Sequence, residues 1–107
     1  MRDHRTIDER SLALCQAIVG RLQEDPELVT VAKANITRWK KTCSPSSAST
    51  LEEWERILNS PIAHVFEVLT VRTETATRLR QSNPFAGVLK EEERMRIFKQ
   101  FITHEKV

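Results

Sequence analysis

Apolar side chains recur along this chain at spacings of three and four, the repeat of a helix with one buried stripe. Ile7, Ser11, Leu14, Cys15, Ile18 and Leu22 form the first stripe. Thr6, with Glu9 three residues on, reads as a capping box that opens it, and Asp25-Pro26 closes it. The same pair opens a second helix, with Asp25 as N-cap and Pro26 in the first helical position. Leu28, Ala32, Ile36 and Trp39 make its stripe, and Lys40 and Lys41 suit the negative end of its dipole. Residues 42–50 are almost all small and polar and predict a linker. Thr50 and Glu53 form a second capping box ahead of Leu51, Trp54, Ile57 and Leu58. Ser60-Pro61 repeats the cap-plus-proline device before Ile62, Val65, Phe66 and Leu69. Thr73 caps a fifth helix containing Ala76 and Leu79. That helix ends at Asn83-Pro84, because the residue before proline is pushed out of the helical region. Residues 85–89 predict a short extended apolar stretch. Residues 90–102 predict a last helix that buries Ile97, Phe98, Phe101 and Ile102.

This pattern predicts an all-α fold, a compact bundle of five or six short helices. A chain of 107 residues supports one core, so residues 1–107 are expected to form a single domain. Residues 1–41 make a helical hairpin, 42–50 the linker, and 51–107 the C-terminal helices. Two glycines are too few for the turns of a sandwich or barrel. Residues 21–26 and 56–61 align in their helix punctuation, but the copies disagree elsewhere, so the capping chemistry is used twice without a repeat fold.

The formal charge of +2 hides an alternation. Residues 1–25 carry −1, 26–50 +3, 51–71 −3, 72–90 +3 and 91–107 zero. Nucleic-acid binders cluster positive charge and have a pI above about 9. Here the basic blocks are split by an acidic one and the pI is about 8.7, which favours a protein partner. No apolar run approaches the 18 or so residues of a membrane span, and the N-terminus lacks a signal-like apolar region. The expected location is the cytoplasm, with no membrane partner. Cys15 on a helix stripe and Cys43 in a loop are then expected to be free thiols.

Candidate chemistry is sparse. His64 and Glu67 have the spacing of a di-iron ligand pair, but such centres need a second pair and two further glutamates. Helical ribonucleases of the abortive-infection type carry Arg followed by His after four to six residues. Arg56 and His64 are separated by seven. No glycine-rich phosphate loop and no nucleophile motif is present. The expectation is no enzyme, no metal and no cofactor. Residues 61–69 and 73–82 could instead form a helix-turn-helix, with Thr73, Thr75, Arg78 and Arg80 facing DNA.

Residues 78–89, Arg-Leu-Arg-Gln-Ser-Asn-Pro-Phe-Ala-Gly-Val-Leu, are the most unusual stretch. Arginine and aromatic residues dominate binding hot spots. Arg78, Arg80, Asn83, Pro84 and Phe85 are therefore the candidate partner-binding residues. In the competing reading Phe85, Val88 and Leu89 fold back and close the core. Trp39 and Trp54 lie on their stripes and are read as core, with a role as interface anchors as the alternative.

With Trp39, Trp54, residues 78–87 and a following helix rich in Glu and Arg, the chain resembles a set of small bacterial proteins over most of residues 20–101. Proteins of this build are similar to the antitoxin halves of toxin–antitoxin pairs. The resemblance implies a small non-enzymatic protein that binds one protein partner, a co-encoded toxin. The alternative from another class is a DNA-binding regulator, and a third is a homo-oligomer formed by unpaired apolar faces.

Overall fold

A computed structural model describes the backbone of residues 4–106 and the side chains of residues 8–101. Six helices follow in order: α1 His4–Glu24, α2 Val29–Trp39, α3 Pro45–Leu58, α4 Ile62–Thr70, α5 Glu74–Arg80 and α6 Glu91–Lys106. A 3-10 turn, Pro26–Leu28, leads into α2. No strand occurs among the described residues, and the all-α bundle of short helices holds. α1 is the spine: α4, α5, α6 and the 3-10 turn pack against it, α2 lies on α3, and α4 bridges α3 and α5. Cys15, Ile18 and Leu22 of α1 meet Ile36, Trp54, Val65 and Leu69 in one core. Each such aliphatic side chain contributes roughly 1.5–3 kcal/mol on burial. Ile7 and Ile102 of the expected stripes lie outside the described side chains.

Two expected caps form. Asp25 Oδ1 accepts the Glu27 N–H at 3.2 Å, and Thr73 Oγ1 accepts the Ala76 N–H at 3.1 Å. Three boundaries differ from expectation. α1 already runs from His4, so Thr6 lies inside it. The expected 42–50 linker is mostly helix: Ser44 Oγ accepts the Ser47 N–H at 3.3 Å, and Pro45 takes the first position of α3. The connection shrinks to residues 40–44, and Thr50 falls mid-helix. The physical reason is that Ser44-Pro45 is itself a cap-plus-proline signal. The burial of Leu51, Trp54, Ile57 and Leu58 outweighs serine's small helix penalty, below about 0.7 kcal/mol per residue. Ser60 does not cap α4; its hydroxyl donates to the Ile57 carbonyl and closes α3, leaving Pro61 ahead of Ile62.

After α5 the chain turns into the core. Phe85, Val88 and Leu89 are 2, 4 and 7% exposed, and Phe85 stands edge-on to Trp54 with centroids 6.1 Å apart. The Val88 N–H donates to the Phe85 carbonyl at 3.1 Å, and Gly87, at φ 93°, occupies the third position of this turn. A side chain disfavours that conformation, whereas glycine adopts it freely. Gly87→Ala is therefore expected to lower the urea midpoint by about 1 kcal/mol of stability or more, with an unchanged denaturant slope. Equilibrium unfolding followed by tryptophan fluorescence measures it, and an unchanged midpoint contradicts the role given to Gly87.

Candidate functional site

Most of the expected partner-binding residues are internal. Arg80 is 3% exposed. Its guanidinium donates to the Val68 carbonyl at 3.2 Å, to the Val71 carbonyl at 2.5 Å and to Thr77 Oγ1 at 3.2 Å. The last carbonyls of a helix lack intrahelical donors, and a cation suits that end of the dipole. Arg80 thus caps the C-terminus of α4 and is unavailable to a partner. Pro84 is fully buried, and its carbonyl accepts Asn35 Nδ2 at 2.9 Å; the same amide reaches the Ala86 carbonyl at 3.0 Å. Phe85 is core. Asn83 turns the chain, its Oδ1 accepting the Phe85 N–H at 2.9 Å and its Nδ2 donating to the Arg80 carbonyl at 3.3 Å. These four side chains shape the fold; the assignment of Arg80, Pro84 and Phe85 as a contact surface is corrected by their burial.

Arg78 is exposed but engaged. It donates to both Glu53 carboxylate oxygens, at 3.1 and 3.0 Å, and joins α5 to α3. That hydrogen-bonded pairing holds the Glu53 carboxyl below the usual carboxylate range. In the candidate helix-turn-helix, α4 and α5 do pack together around residues 71–73. Both arginines of α5 are bound within the chain, and Glu74 stands in its first turn.

The sequence reading missed Asn35. Its Oδ1 accepts Arg38 Nη2 at 2.7 Å while its amide bridges two carbonyls of the 84–86 segment. Its position three residues after Ala32, on the same helix face, was the available signal. Trp39 also differs from expectation: Trp54 is fully buried, whereas Trp39 is only partly covered. Trp39 and Leu51 wall a cleft of about 610 Å³ between the end of α2, the start of α3 and residues 81–83. Ser46, Ser47, Thr50 and Asn83 line its polar side, and Cys43 lies at the same end of α2. Arg38 in the last turn of α2 and Lys40 and Lys41 just after it are exposed, with Lys40 3.1 Å from Glu55. Trp39 and Leu51 supply the apolar wall of the cleft, and hydroxyls and amides make up most of the remaining lining.

The remaining chemistry is dispersed. His64 Nδ1 lies 3.4 Å from Glu67 on an exposed helix face. Arg56 and His64 border the same shallow depression over Ile57, Val68 and Leu79. Among the described residues no three His, Cys, Asp or Glu side chains converge as metal ligands. No described helix is long and apolar enough to cross a membrane. Both cysteines are free. Cys15 is buried in the core, and desolvation pushes its thiol up to about 12, with Arg80 opposing the shift. Comparison with protein-family models, with curated proteins and with solved structures finds no match for this chain.

Two measurements check this account. Arg80→Ala strips donors from two carbonyls and a hydroxyl, an expected loss of about 3 kcal/mol and a fall in Tm of roughly 10–20 °C. An unchanged Tm contradicts the capping role. With a disulfide reagent at pH 8, one thiol, Cys43, is expected to react with the folded protein. Cys15 reacts only after denaturation, and two fast thiols would contradict its burial.

Proposed function

We propose that this chain is a non-enzymatic interaction domain that binds one protein partner in the cleft beside Trp39. The observation that supports this most is Trp39 itself: a large aromatic side chain left partly uncovered, forming the wall of a cleft rimmed by hydroxyls. Buried or half-buried tryptophans are frequent interface anchors, since they offer large area with only two rotatable bonds. The exposed cations Arg38, Lys40 and Lys41 beside it favour an acidic partner segment whose apolar side chain enters the cleft. An antitoxin-like role, in which the partner is a co-encoded toxin, is the functional context we propose for this binding. The DNA-binding alternative rests on Arg78 and Arg80; Arg80 is buried against the end of α4, which leaves Arg78, paired with Glu53 at the surface, as the one arginine of α5 that could reach a phosphate.

Titration calorimetry with the product of the adjacent gene tests the reading. Trp39→Ala is expected to weaken binding at least tenfold, because truncated hot spots cost more than about 1.4 kcal/mol. Ser47→Glu keeps the fold, since a carboxylate is favourable in the first turn of α3, but places negative charge at the cleft and is also expected to weaken binding. Thermal unfolding of both variants checks the fold. Full affinity in the Ser47→Glu and Trp39→Ala proteins would remove the cleft as the binding site.

A further inference from the structure

α6 offers a second surface, distinct from the cleft. It lies along α1, with Ile97, Phe98 and Phe101 partly covered, and no described residue of α6 is fully buried. Phe98 is flanked by the guanidiniums of Arg10 and Arg94, 5.1 and 5.4 Å from its ring centre. Beside this covered face stands Met95, 43% exposed, the one large apolar side chain exposed to this degree among the described residues. Residues four apart stack on one helix face. Glu91, Met95 and Lys99 therefore form one exposed stripe, about 12 Å long at 1.5 Å per residue, ordered acid, apolar, base. Glu92 borders its acidic end.

This order is self-complementary in one orientation. When two copies of the helix run antiparallel about a two-fold axis through Met95, each acidic end meets the partner's basic end, and methionine packs on methionine. A parallel pairing would set like charges together. Two-fold contacts use the same patch on both subunits, which this stripe satisfies. Glu91 also touches Arg94 at 2.9 Å, but both are exposed, at 71 and 42%, so that pair is worth little and does not tie Glu91 down.

We propose that α6 is the contact face of a weak antiparallel dimer of this chain, centred on Met95. The stripe is short, so the interface is of the small, reversible class. Sedimentation equilibrium of the full chain at low salt tests it. The weight-average mass is expected to climb from 12.4 kDa towards twice that value between about 10 µM and about 1 mM, the regime of interfaces below standard size. Met95→Lys and Lys99→Glu are each expected to hold the monomer mass. Combining Lys99→Glu with Glu91→Lys and Glu92→Lys reverses the order of charge and is expected to restore association. All these positions are exposed, so the folded state survives each change and far-ultraviolet dichroism verifies it. A wild-type mass that stays monomeric throughout overturns the proposal. So does a Met95→Lys protein that still dimerises, or a charge-reversed protein that does not.

Discussion

A guanidinium held by carbonyl and hydroxyl oxygens, shut under the end of a helix, organises this fold. Arg80 is tolerated in the interior because its N–H groups meet the carbonyls that α4 leaves unpaired and the Thr77 hydroxyl. Desolvating a cation is costly, so the site needs that donor set satisfied. The same contact fixes α5 against α4. It also places the end of α5 where Leu79 receives the Trp54 indole N–H at 3.0 Å. Once α5 is held, Asn83 and Pro84 must turn the chain inward, and Asn35 secures that turn from α2. Four elements therefore depend on one buried side chain and one buried amide.

This explains why residues 78–87 look like a binding motif without being an exposed one. Arginines, a proline and a phenylalanine serve hot spots because they fill shape and donate hydrogen bonds in fixed geometry. Those properties serve an internal junction equally well. The packing that consumes them leaves Trp39 partly uncovered in the neighbouring cleft. The one residue shared by the expected site and this cleft is Asn83, whose polar groups are already used in the turn.

Ion pairs contribute little to holding the bundle together. The pairs Lys40–Glu55, Arg72–Glu9, Arg78–Glu53 and Arg94–Glu91 all lie at the surface, where each is worth at most about 1 kcal/mol. The first three join separate elements that apolar burial has already brought together, and the last lies within α6. The alternating blocks of charge in the sequence reflect this: α3 with its glutamates faces Lys40 at the C-cap of α2 and Arg78 of α5.

The sequence by itself determined the elements. Helical periodicity and short-range caps are local, so Asp25, Thr73, Pro26 and the stripes through Leu22, Ile36, Trp54 and Leu69 could be read from residue order. Even the misread linker was locally encoded, in Ser44-Pro45. What only the tertiary structure decided was which polar side chains go inside. Arg80 and Asn35 are buried because acceptors far along the chain, Val68 12 residues from Arg80 and Pro84 and Ala86 49 and 51 residues from Asn35, arrive opposite them on folding. A hydrogen bond of that range leaves no periodic trace, so an internal arginine and an interface arginine read alike until the helices are packed.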